Sequence, residues 1–170
     1  VVRCNGVGAV TLGPPEGGES PAARRAGEGF QEAGLDTTVT DDMPRRLWTK
    51  LAVNAGVNPV TALARVDNGA VLAEPLAGTA RAAARETASV ATAAGVDLDP
   101  EAAVAAVEGV ARDTAGNVSS MRQDVEAGRP TEVGAINGYV VDRASESVPV
   151  NRTLAALLDG RETEKSGASN

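Results

Sequence analysis

The sequence predicts a mainly α-helical protein with a short β-containing segment at its front. Three observations lead there. Among 170 residues there are one Trp, one Tyr and one Phe, so Ala, Val and Leu must form the core, which suits closely packed helices better than a sandwich. From Asp41 onward apolar residues recur at helical spacing, as at Leu47, Leu51 and Ala55. Only residues 1–40 carry short strand-like runs punctuated by glycine and proline.

Taken in order, Val1–Asn5 and Ala9–Leu12 read as strands of a hairpin turning at Gly6-Val7-Gly8. The glycines suggest a dinucleotide loop, but that fingerprint needs a third Gly or Ala opening a helix. Thr11 stands there instead, and Gly13-Pro14-Pro15 follows, so the hairpin turn is preferred. The loop to Gly18 gives way at Ser20-Pro21 to a helix ending near Ala33, stopped by Gly34, and Leu35–Thr40 reads as a strand. Asp41 and Asp42 before Pro44 form a helix start, and the helix continues to about Arg65. A second, alanine-rich helix is expected over 70–94, stopped by Gly95, and a third from Asp99-Pro100 to about Thr114. Ser119–Ala127, Ile136–Ala144 and Arg152–Leu158 are shorter helices, and residues 161–170 read as a disordered tail.

Charge and composition narrow the function. The 23 acidic residues against 16 Lys and Arg give a net charge of -7, which argues against a surface tracking nucleic-acid phosphates. Only two of the cations are lysines, Lys50 and Lys165; acidic, lysine-poor usage suits salt adaptation, and GC-rich coding gives a similar bias. The absence of histidine removes a Ser-His-Asp triad and the usual His-ligated zinc. Cys4 is the single cysteine, so it has no internal disulfide partner. No apolar run is long enough to span a bilayer, and no export signal is apparent.

Two constellations could carry chemistry. Lys50, Asn54 and Asn58 follow at four-residue spacing and share one helix face. Asparagine is a poor interior helix residue, so the stripe is either a solvated surface or the lining of a polar pocket; spacing alone does not choose. In a pocket, a lysine desolvated by Trp48 and nearby aliphatics would have its pKa lowered toward the range of a general acid. The second constellation is Asn117-Val118-Ser119-Ser120-Met121, with Asp124 and then Thr131-Glu132. Ser119 or Ser120 could cap a helix and leave backbone N–H groups for a carboxylate, or could be purely structural.

Together these segments resemble the ketopantoate reductase (2-dehydropantoate 2-reductase) family. The run Trp48-x-Lys50-Leu51-x-x-Asn54-x-x-x-Asn58-Pro59 is similar to that family's catalytic-lysine helix. Asn117-x-Ser119-Ser120-Met121-x-x-Asp124, Thr131-Glu132-x-x-x-x-Asn137-Gly138 and Pro149-x-Asn151 resemble its later signatures. Over about residues 1–160 the resemblance implies an all-helical C-terminal domain of the 6-phosphogluconate-dehydrogenase-like type at 41–160. Residues 1–40 would be a remnant of a Rossmann domain, poorly stable alone.

The same resemblance implies NADPH-dependent reduction of ketopantoate to pantoate. Lys50 would be the general acid, and Glu132 the catalytic acid holding the substrate hydroxyl. Asn54, Asn58, Asn68 and Asn117 would line the keto-acid pocket, and Ser120 would bind the carboxylate. Gly134 departs from the family, which commonly has an acidic residue there. The phosphate-binding loop is absent from this chain, so tight NADPH binding, and activity of this piece alone, are not expected. A homodimer is compatible, and the resemblance together with the lack of an apparent export signal leads to the expectation of a cytoplasmic protein. Two other readings stay open: a non-catalytic helical module, and a reductase of another 2-keto acid.

Overall fold

The structure is a computed structural model that describes the backbone of residues 8–167 and the side chains of residues 8–161. The chain divides into two compact units, Val1–Leu47 and Trp48–Asn170. The division falls inside a long helix, a few residues beyond the change of period at Asp41.

In the first unit, strand β1 (Val10–Leu12) pairs in parallel with β2 (Thr37–Val39), and helix α1 (Pro21–Glu32) connects them. Of the expected hairpin, the Val1–Asn5 strand lies outside the described residues. Among the described residues the other strand pairs with β2, in parallel register from Val10↔Thr37 to Leu12↔Val39. A strand, a Pro/Gly loop and a helix form a crossover connection, which parallel pairing requires. Ser20 caps α1 by accepting the Ala23 N–H at 3.2 Å, with Pro21 in the first turn. Gly34 ends it at φ +81°, a backbone that favours glycine. Gly27 is buried against β2, where a Cβ would come within 2.5 Å of Val39 Cγ2.

Helix α2 (Met43–Ala64) starts with Pro44 in its first turn and carries Pro59 in its interior. The alanine-rich helix expected over 70–94 is split. Asn68–Leu72 forms a 3₁₀ turn and α3 runs only from Leu76 to Ala93. Pro75 is the cause, because it has no N–H and disfavours helical geometry in the residue before it. Helix α4 (Pro100–Asp113) is capped by Asp99, whose Oδ1 accepts the Ala102 N–H at 2.8 Å. Helix α5 (Ser120–Ala127) follows, capped by Ser119 and ended by Gly128 in the left-handed region. The helix expected over 136–144 is a π-turn at Gly134–Gly138 leading into α6 (Tyr139–Arg143). Helix α7 (Pro149–Gly167) begins before Arg152 and runs through Gly160 and Arg161, into the stretch read as a tail.

Within the second unit, α2 is buried on two flanks. Ala52, Val57 and Val60 join a core with the α3 alanines (Ala80, Ala83, Ala84, Ala88) and with Val104, Val107 and Ala111 of α4. Ala55 and Ala62 face another cluster containing Met121, Val125, Val133, Ile136 and Leu158. Small side chains allow this close approach. Gly56 marks the tightest point, where a Cβ would lie 2.9 Å from the Ala80 carbonyl oxygen. The mainly helical architecture expected from composition is what the chain adopts. Among the described residues, no helix is long and apolar enough to cross a membrane.

Candidate functional site

The sequence-predicted site residues all belong to the second unit, and α2 is their axis. With two flanks of α2 committed to the core, the stripe of Lys50, Asn54 and Asn58 is the part left accessible. Lys50 is exposed, and both asparagines are half-buried. Among the described residues their side chains carry no hydrogen-bonding partner.

The expected desolvation of Lys50 by Trp48 is not found. Two residues apart on a helix is a rotation of roughly 200°, so the two side chains leave opposite sides of α2. Trp48 packs instead against the core and against Tyr139, with ring centroids 5.9 Å apart and planes tilted by 50°. The Arg143 guanidinium covers the Tyr139 ring at 4.8 Å, a cation–π contact.

A direct bond joins the far end of the stripe to the second constellation. Thr61, one turn beyond Asn58 and fully buried, shares a 2.7 Å hydrogen bond with Ser119 Oγ. Ser119 Oγ also accepts the Arg122 N–H at 3.2 Å, which makes it the helix cap. Ser120 is therefore the first residue of α5 and exposed, its hydroxyl unspent among the described residues. The N–H groups of Ser120 and Met121 stand at the helix start, where no intrahelical acceptor exists for them.

Asn68 and Asn117 are brought together by backbone pairing. The Asn68 N–H donates to the Asn117 carbonyl at 3.0 Å, and the Gly69 N–H to the Ala115 carbonyl at 3.0 Å. Asn117 is exposed, whereas Asn68 is buried and gives Nδ2 to Thr114 Oγ1 at 3.0 Å. Asn68 Oδ1 is buried without a partner. Nearby, Arg122 bonds both Asp67 and Glu126 at 2.7 Å; the bond to Glu126, then that to Asp67, raises its pKa above the ordinary value against the opposing effect of burial.

Glu132 is exposed and precedes the π-turn, its carbonyl accepting the Ile136 N–H at 3.0 Å. Its neighbour Val133 is buried in the cluster that also holds Leu51 and Ala55, so the Glu132 segment packs beside α2. Asp124 is committed to Arg129 through contacts of 2.7 and 2.9 Å. Gly134 is exposed with open space around it, which accommodates the departure from an acidic residue there.

The model of the family described as ketopantoate reductase PanE/ApbA C terminal matches residues 42–162. The chain belongs to that family. A 2-dehydropantoate 2-reductase of Halobacterium salinarum is 42% identical over 162 residues, covering 93% of this chain and 53% of the relative. One from Archaeoglobus fulgidus is 40% identical over 162 residues, covering 93% and 54%. Among solved structures, a PanE/ApbA family ketopantoate reductase from Ralstonia eutropha superposes with a TM-score of 0.83 at 27% identity, over 96% of this chain and 54% of that one. A D-mandelate dehydrogenase in complex with NADH shares the fold at a TM-score of 0.84 and 24% identity, over 94% and 56%. The chain spans about half the length of the curated relatives it matches.

In this ketopantoate reductase C-terminal domain, sequence reasoning missed two parts of the site's support. Thr61 went unnoticed because a lone threonine in a helix carries no pattern. Asn137 and Asn151 were visible only as motif letters, yet both are fully buried and hydrogen-bonded to each other at 2.9 Å. A cavity of about 430 Å³ lies elsewhere, between α3 and residues 145–148. Of its charged lining, Arg85 is engaged by Glu101 and Glu86 by the backbone at the start of α7, while Glu146 is exposed.

Proposed function

We propose that the helical unit is the keto-acid-binding and proton-donating half of a 2-dehydropantoate 2-reductase. The observation that carries this reading is the 2.7 Å Thr61–Ser119 bond, which ties the Lys50–Asn54–Asn58 stripe to the start of α5. The substrate is an anion with a ketone beside its carboxylate. Its carboxylate would sit at the α5 N-terminus, accepting from the Ser120 hydroxyl and the free N–H groups of the first turn. Asn54, Asn58 and Asn117 would orient its oxygens without adding charge. The Lys50 ammonium would donate its proton to the ketone oxygen as the carbonyl carbon is reduced, and Glu132 would accept from the substrate hydroxyl. The substrate itself would desolvate Lys50, which is exposed in its absence.

NADPH, the expected cofactor, finds no phosphate-binding fit at the β1–α1 connection. The β1–α1 connection carries Glu16 and Glu19, the wrong charge for a pyrophosphate. Helix α1 begins with Pro21, which has no N–H, and Ser20 takes the N–H of Ala23. The β1–α1 connection therefore supplies no pyrophosphate cradle.

The test is a calorimetric titration of the chain with ketopantoate and pantoate, with Lys50→Ala alongside. A saturable change that weakens in the variant is expected. In a complete enzyme carrying this domain, the same substitution should lower turnover by roughly 10²–10⁴, the usual contribution of a general acid. Unchanged turnover would remove Lys50 from the mechanism.

A further inference from the structure

Pro59 stands in the interior of α2. Having no N–H, it leaves the carbonyl of Ala55, four residues earlier, without its helical donor. That carbonyl is deep in the core, where an unsatisfied oxygen is costly. Asn137, 82 positions away in sequence, supplies the missing bond through Nδ2 at 3.2 Å.

The bond continues into a network. Asn137 Nδ2 also donates to Asn151 Oδ1 at 2.9 Å. Asn151 Nδ2 donates to the Ala83 carbonyl at 3.1 Å and to Glu86 Oε2 at 2.8 Å. Glu86 in turn accepts the backbone N–H groups of Val150 and Asn151, each at 2.9 Å. One line of hydrogen bonds thus joins α2, the 134–138 turn, α3 and the first turn of α7. Packing does not account for the amide at 137, because a leucine would fill similar volume without the Oδ1 that stays buried and unpartnered.

We infer that Asn137 is a positioning residue, one that replaces the hydrogen bond Pro59 cannot make. It thereby fixes the Asn54–Asn58 turn of α2 against the segment that begins at Glu132. It acts through the Ala55 carbonyl, one residue beyond Asn54. Its consequence for the keto acid rests on the functional reading above; the pairing of positions 59 and 137 does not.

The experiment uses the full chain with Asn137→Leu, Pro59→Ala and the double variant. Each is measured by urea unfolding and by calorimetric ketopantoate titration, with folding checked by circular dichroism. Asn137→Leu breaks the bonds to Ala55 and to Asn151, and release of the Ala55 carbonyl should weaken ketopantoate binding by about tenfold in folded protein. Pro59→Ala gives position 59 an N–H for Ala55 and should recover most of that loss in the double variant. Native-like binding by folded Asn137→Leu, with only its unfolding midpoint lowered, would reduce the residue to a structural role and overturn the inference. If Asn137→Leu does not fold, a folded double variant supports the inference and an unfolded one overturns it. If the native chain binds no ketopantoate, the functional reading fails and the unfolding data decide. A smaller cost of Asn137→Leu with alanine at 59 than with proline then supports the pairing, and equal costs overturn it.

Discussion

Replacing Thr61 by valine removes one oxygen from the join between the two halves of the site. The shapes are nearly equal, so the change isolates the hydroxyl. In the native chain that hydroxyl bonds Ser119 Oγ at 2.7 Å and reaches the Val57 carbonyl of its own helix at 2.9 Å. The Val57 carbonyl keeps its place in the helix, so the loss falls on the inter-element bond and on Ser119. Thr61 is fully buried and Ser119 only 5% exposed, so water cannot readily replace the partner. Losing the bond and stranding one hydroxyl should cost about 1–3 kcal/mol. At about 2–4 °C per kcal/mol for a chain of this size, the midpoint of thermal unfolding should fall by roughly 2–12 °C. Circular dichroism at 222 nm is the assay, with Thr61→Ser as the control that keeps the hydroxyl. The valine variant should also bind ketopantoate more weakly, because the start of α5 is no longer tied to the Asn58 turn. A valine variant within about 0.5 kcal/mol of the native chain, with unchanged binding, would refute this account of how the halves are joined.

Two further outcomes follow from the packing and the surface charges. Gly56→Ala gains about 1 kcal/mol in helix propensity but drives a Cβ to 2.9 Å from the Ala80 carbonyl oxygen and 3.3 Å from Val107 Cγ2. Backbone cannot yield as a side-chain tip can, so overpacking should win and lower the unfolding free energy read from urea titration by a net ~1–2 kcal/mol; a more stable variant would show that α2 and α3 are farther apart. On the surface, the hydrogen bond from Arg85 lowers the Glu101 pKa below the usual carboxylate value against an opposing desolvation, with a further lowering from the Arg85 charge. A lowered carboxylate pKa adds stability above the unfolded value and loses it as pH falls through the folded one, so the benefit disappears in acid. Glu101→Gln should therefore flatten the acid limb of a melting-temperature profile while leaving a small deficit near neutral pH. An unchanged acid limb would mean that the pair is not formed in solution.

Much of this protein is written locally. Helix starts at Ser20-Pro21, Asp99-Pro100 and Ser119 follow from cap chemistry that needs only a few neighbouring residues, as do the stops at Gly34 and Gly95. The polar stripe of Lys50, Asn54 and Asn58 is likewise a matter of helical period, and the motif spacing carries the family. Other features depend on partners far along the chain. The strand at Val10–Leu12 has no preferred neighbour until α1 returns β2 beside it in parallel. The period of α2 offers Trp48 to solvent or to core, and only the packing of Tyr139 chooses the core and leaves Lys50 exposed. The division of the 70–94 segment was legible in Pro75, but the alanine pattern on either side obscured it. The proline at 59 announces an unpaired carbonyl at Ala55; that the donor is Asn137 is decided by which turn packs there. Short-range backbone energetics set elements and caps, so a sequence determines them by itself. Which buried donor meets which buried acceptor is fixed only when the helices pack, because each such bond joins residues that have no contact until the whole core has formed.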